Sequence, residues 1–235
     1  MRIGKPLKAL LVAGTIAAGG LGAAAAEPAK PPAGYHLKSE YTEKSPDRSI
    51  RIEQYLNKET DDYKWQFWVR GKGKFALLDP EPADYPAGFV FTKDLKWIVR
   101  AQKTGSGEST TYLYRLTPQG YVAATKEPLG EMAWAYMKTQ PDWQKVKKEP
   151  EYHISAYLLD GFEENYRNLG FRWPANRYLL IGLGADADIE GNKPMQTGVV
   201  NGWRCRYDLL TGTFDVPPAL AAHNAKAVVA STPGS

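Results

Sequence analysis

Cysteine is nearly absent from this chain: Cys205 stands alone among 235 residues. No disulfide can form within the chain, so its stability has to come from packing. Histidine is scarce as well. His36, His153 and His223 share no H-x-x-x-H or H-x-H spacing, which leaves a zinc site without support. No G-x-S-x-G elbow positions a serine for acyl transfer, and no G-x-x-x-x-G-K followed by Ser or Thr cradles a phosphate. Spacing selects no carboxylate pair for glycoside hydrolysis, since Asp61-Asp62 and Glu163-Glu164 are simply adjacent in polar stretches. Beyond the first 26 residues, no apolar run is long enough to span a bilayer.

A dominant charge is missing too, and the small excess that exists is concentrated at the start. The chain holds 30 Lys+Arg against 26 Asp+Glu, a formal +4. Arg2, Lys5 and Lys8 precede an uncharged stretch, Ala9–Ala26, that closes on Ala24-Ala25-Ala26. Basic, then apolar, then small is the order of a cleavable signal peptide. Gly14, Gly19, Gly20 and Gly22 dilute the apolar part, which argues against a retained anchor. Cleavage near Ala26 removes three cations and no acid, leaving 27 against 26. The expectation is a periplasmic or secreted protein of nearly neutral charge, with no footprint for nucleic acid and no membrane span. Residues 27–34, EPAKPPAG, read as a Pro-rich linker, 35–218 as one domain, and 219–235 as a tail with a docked short helix.

What the chain does have is aromatic residues, with 7 Trp and 14 Tyr. They fall in short alternating runs between turn signals, which predicts a mainly β protein. Cys205 lies between Trp203 and Tyr207 on the apolar side of such a run and reads as a buried thiol. Three similar units emerge: Tyr35–Leu78, Gly88–Ala124 and Leu169–Val216. Each has strands around a turn read as type I, with Pro or a helical residue second and Asp or Asn third. In the first unit Ile50, Ile52, Leu56, Trp65, Phe67 and Val69 share one face. Arg51, Glu53, Tyr55, Gln66, Trp68 and Arg70 share the other, which predicts an end sheet with one wet face.

The segments Ser45-Pro46-Asp47-Arg48-Ser49-Ile50, Phe91-Thr92-Lys93-Asp94-Leu95-Lys96-Trp97-Ile98 and Trp173-Pro174-Ala175-Asn176-Arg177-Tyr178-Leu179 carry a resemblance. They resemble the S-P-D-G-K turn of bacterial WD40-like β-propeller blades of the TolB type, with Arg48, Leu95 and Arg177 where the glycine stands. Tyr207-Asp208-Leu209-Leu210-Thr211-Gly212-Thr213-Phe214 is similar to the ending of uncharacterised exported bacterial proteins. The resemblance implies four-stranded antiparallel blades and brings no catalytic residue. Closed propellers have about four to eight blades. Three units therefore predict an open stack of three small propeller-like meanders.

A helical insertion at about 129–161 separates the second and third units. Ala133, Tyr136 and Met137 share a helical face, Pro141-Asp142-Trp143 starts a second short helix, and Tyr152–Leu159 fits strand or helix equally. The insertion is either a binding element or a plug over an exposed sheet face. Candidate binding residues are Trp68 and Arg70 on the wet face and Trp134, Trp143 and His153 in the insertion. Asp186, Asp188 and Glu190 resemble the opening of a calcium loop, although Thr197 replaces its closing Glu; a solvated hairpin loop is the alternative. The function expected is an exported binding or scaffolding protein of the bacterial cell envelope, with a protein or glycan partner. The alternative is a carbohydrate-binding protein or glycoside hydrolase that stacks sugars on exposed tryptophans.

Overall fold

The computed structural model describes residues 30–58, 63–71, 73–146, 152–159, 177–188 and 196–228. The fold is mainly β, in two sheets that do not close into a barrel. The first sheet contains β1 (Tyr35–Leu37), β2 (Glu43–Lys44), β3 (Ile50–Asn57), β4 (Lys64–Gly71) and β5 (Lys74–Leu77). Here β3, β4 and β5 run as an antiparallel meander, and β1 and β2 share the outer edge of β3.

The second sheet contains β6 (Ala87–Phe91), β7 (Trp97–Gly105), β8 (Glu108–Thr117), β9 (Gly120–Ala123), β10 (Tyr152–Leu158), β11 (Tyr178–Asp188), β12 (Gln196–Asp208) and β13 (Thr213–Asp215). Its order is β13-β12-β11-β10-β8-β7-β6, with β9 also on β8. The expected open stack of three sheets is thus corrected to two. Its second and third units are joined edge to edge by β10, which pairs antiparallel with β11 and meets β8 at Ser155–Ser109 in parallel. The cause is the edge: β9 covers only the Thr117 end of β8, and β10 takes up the remaining edge groups.

The two described turns of the repeat are built alike. Ser45 and Thr92 are both buried. Each accepts a hydrogen bond at its hydroxyl from the backbone N–H five residues on, at 3.0 Å from Ile50 and 3.1 Å from Trp97. Each donates to the aspartate two residues on, at 2.7 Å to Asp47 and 2.8 Å to Asp94. That carboxylate also accepts the next-but-one backbone N–H, from Ser49 or Lys96. Arg48 and Leu95 occupy the glycine place with φ of 58° and 57°, the left-handed region. The third turn, 173–176, lies outside the described residues.

Two cores follow from the alternation. Ile50, Ile52, Trp65 and Phe67 of the first sheet pack against Phe89, Phe91, Ile98 and Tyr114 of the second. The opposite face of the second sheet presents Val99, Leu113, Ile181, Leu183, Trp203 and Cys205 to α1 (Leu129–Lys138) and to the 3-10 turn Pro141–Lys145. Leu129, Ala133, Trp134 and Met137 are the buried stripe of α1. Gly130 lets the helix lie flat: an added Cβ there would stand 2.8 Å from Ala156 Cβ and 3.0 Å from Thr111 N. The helical insertion therefore covers a sheet face, as one of its two readings proposed.

The tail forms α2 (Pro218–Ala227), which guards the free edge of β12. Asn224, fully buried, accepts from Arg204 N and donates to Arg204 O, both at 2.8 Å. A carboxamide bonded in this way stands in for a neighbouring strand residue. His223 Nε2 lies 2.9 Å from Gly202 O, and Val228 bridges Val200. No helix among the described residues is long and apolar enough to cross a membrane.

Candidate functional site

The outward face of the first sheet gathers charge in a way that only its register shows. Lys44 lies opposite Arg51, Arg51 opposite Arg70, and Arg70 opposite Phe75. Three cations therefore stand side by side on three neighbouring strands. Like charges directly opposite one another destabilise a sheet. One row further along, Glu53 is opposite Trp68 and answers part of that charge.

Glu53 is the organiser of the face. Although only 4% exposed, its carboxylate accepts from Arg70 Nε at 2.7 Å and Arg70 Nη2 at 3.0 Å, a bidentate pair. It also accepts from the Tyr55 hydroxyl at 2.8 Å, and Arg51 Nε lies at 3.0 Å. Burial pushes this carboxyl up, but the hydrogen bonds from Arg70 and Tyr55 and the two guanidinium charges outweigh it and hold it below the ordinary glutamate range. The Arg70 guanidinium also rests 3.9 Å from the Phe75 ring centre, and Phe75 packs at 5.0 Å on Trp68. Lys44, Arg48, Ser49, Arg51, Arg70 and Gly71 line a shallow groove of about 380 Å³ here. Lys44 and Arg48 are exposed and make no ion pair among the described residues. Asp47 is turned into its own turn by Ser45 and Ser49, and those hydrogen bonds lower its carboxyl.

A second cleft, about 200 Å³, opens between the sheets. Arg100, 3% exposed, lies 3.7 Å from the Tyr112 ring centre and reaches Asp79 at 3.4 Å. Asp79 also accepts from Tyr114 OH at 3.0 Å and from Glu81 N at 3.1 Å. This set ties the 78–86 segment to the inner sheet face. Arg100 Nε and Gln102 Oε1 are buried without a hydrogen-bond partner among the described residues.

The expected sites scatter. Arg70 belongs to the charged face. Trp68 shares that face, but the exposure expected of it is corrected: at 4% it is covered, with its indole N–H donated to Gln66 at 3.1 Å. Trp134, 3% exposed, and the partly buried Trp143 meet edge to face at 6.4 Å in the core beneath α1. Neither Trp68 nor Trp134 offers a ring to a sugar. The indole of Trp203 donates to Asp142 at 3.1 Å, pinning the 3-10 turn to the sheet. His153 faces Glu108 at 3.3 Å and is the register partner of Asp186. Asp186 and Asp188 end β11, while Glu190 lies outside the described residues. Among the described residues, no group of three or more His, Cys, Asp or Glu side chains could hold a metal ion. Lys44 and Arg48 escaped the sequence reading. Their distance from Arg70 along the chain hid them; the pairing of β2 with β3 was the missing information. No protein-family model, curated protein or solved structure matches this chain.

Proposed function

We propose that this chain is an exported binding module of the bacterial cell envelope and that it binds through the outward face of its first sheet. The four-stranded runs β2–β5 and β6–β9 would then serve as propeller-like meanders that present this face rigidly. The observation that carries the reading is the row Lys44, Arg51 and Arg70 on three adjacent strands, anchored on buried Glu53. Such a row costs stability in a free protein, and a binding partner of opposite charge would relieve it. Glu53 holds Arg51 and Arg70, and Phe75 packs on Arg70, so these two guanidinium groups would lose little side-chain freedom on binding.

The test is cell fractionation of the full chain in a bacterial host, combined with N-terminal sequencing. The expected result is a chain beginning at Glu27, recovered with the envelope and released from it by salt. The variant Lys44→Gln/Arg48→Gly should be processed in the same way and no longer be retained. An unprocessed chain in the cytosol, or equal retention of the variant, defeats the reading.

A further inference from the structure

We infer that the groove lined by Lys44, Arg48, Arg51 and Arg70 binds a phosphate group of at least two negative charges, such as a phosphate monoester or a pyrophosphate. This rests on the reading of that face as the binding surface, and it adds the class of ligand.

Charge and spacing both point there. Four cations line the groove; set against Glu53, paired with Arg51 and Arg70, and Asp47, bonded to Ser49, they leave it two charges positive. A lone carboxylate would neutralise only one of them. Neighbouring strands lie about 4.8 Å apart, so the three-cation row spans roughly 10 Å. That length suits one multiply charged phosphate group, or two linked ones, better than a single small anion. Guanidinium groups match phosphate oxygens geometrically. Glu53 takes the Nε–Nη2 edge of Arg70 and the Nε of Arg51. Both guanidinium side chains still line the groove with nearly half their surface exposed, 49% for Arg51 and 41% for Arg70, so each can donate to a ligand there.

Arg48 adds an independent argument. The same left-handed place in the second turn holds Leu95, which packs against the core between the sheets. Arg48 is exposed and packs into neither core; it lines the groove instead. A non-glycine residue in this conformation is costly, and at Arg48 no packing offsets the cost.

The experiment uses calorimetric titration and melting of the chain lacking residues 1–26, the product expected after export. The probes are pyrophosphate, glycerol phosphate and acetate at matched ionic strength. Pyrophosphate should bind and raise the melting temperature, and acetate should do neither. Lys44→Gln and Arg48→Gly should each weaken pyrophosphate binding, by about tenfold together, while melting no lower than the parent chain. In that case loss of binding cannot be loss of fold. A second arm uses phosphatidylcholine vesicles with and without phosphatidic acid. Binding to those vesicles but not to glycerol phosphate assigns the phosphate to a lipid headgroup, whereas binding to both assigns it to the phosphate group wherever it occurs. The inference is overturned if acetate matches pyrophosphate, if the variants bind as well as the parent, or if neither pyrophosphate nor the acidic vesicles bind. A chain that binds a polyglutamate peptide through the same cations, and not pyrophosphate, overturns the phosphate class and leaves the binding-surface reading intact.

Discussion

Glu53 concentrates the energetics of the charged face in one side chain. Its carboxylate is buried, and it is the hydrogen-bonded counter-ion of Arg70 and lies against Arg51. Glu53→Gln would leave both guanidinium groups without a counter-charge, at a cost of about 1–3 kcal/mol in chemical denaturation at neutral pH. The pH dependence has a definite sign. Because the folded carboxyl titrates below its ordinary value of 4.5, its contribution is complete above that value and is lost as pH falls through the lower folded one. Acid should therefore destabilise the parent more steeply than the Gln variant below about pH 4.5, and parallel acid profiles would contradict this. Cys205 gives a second prediction at this scale. It is fully buried, and burial pushes its thiol up. A thiol reagent should label it only as the chain unfolds, and rapid labelling of the native protein would contradict that. Alternation around Trp203 and Tyr207 was enough to read this burial from the sequence. The burial of Trp68 was not legible, because polar neighbours on its own strand do not reveal Phe75 on the next.

Among the elements, the turns were the most legible and the strand pairings the least. A hydroxyl residue followed two places later by Asp makes its hydrogen bonds within six residues, so Ser45-Pro46-Asp47 and Thr92-Lys93-Asp94 could be recognised directly. The insertion was partly legible. The apolar spacing of Ala133 and Met137 marked α1, whereas Tyr152–Leu158 became a strand only because β8 and β11 both had edges to fill. A docked short helix could be read in the tail, but its seat on β12 could not. That seat depends on Asn224, so Asn224→Ala should cost about 1–3 kcal/mol by leaving Arg204 N and O unpaired. Hydrogen exchange checks this at one amide: Arg204 should exchange faster in the variant, and unchanged exchange would show that the helix does not protect that edge.

For the whole molecule, β7 and β8 matter most because both cores share them. Ile98 and Tyr114 face the first sheet, while Val99 and Leu113, their immediate neighbours, face α1. Alternation thus joins the two cores through two strands, and the described domain should unfold in one cooperative transition. Ile98→Ala and Leu183→Ala, one in each core, should each cost about 2–5 kcal/mol and shift that same transition. Two transitions in calorimetry, each moved by only one variant, would show that the sheets unfold independently.

The mainly β character, the chemistry of the repeated turns and the inward faces of strands such as β3 and β12 can be read along the chain. These depend on bonds between near neighbours and on a two-residue period, both written along the chain. Long-range packing, by contrast, merges the second and third units into one eight-stranded sheet and seats α2 on β12. It also brought Lys44, Arg48, Arg51 and Arg70 around one groove in a chain whose total charge is nearly balanced. Those outcomes depend on which strand edges pair and in what register, and pairing is settled by unsatisfied backbone groups and buried faces meeting across distant parts of the chain.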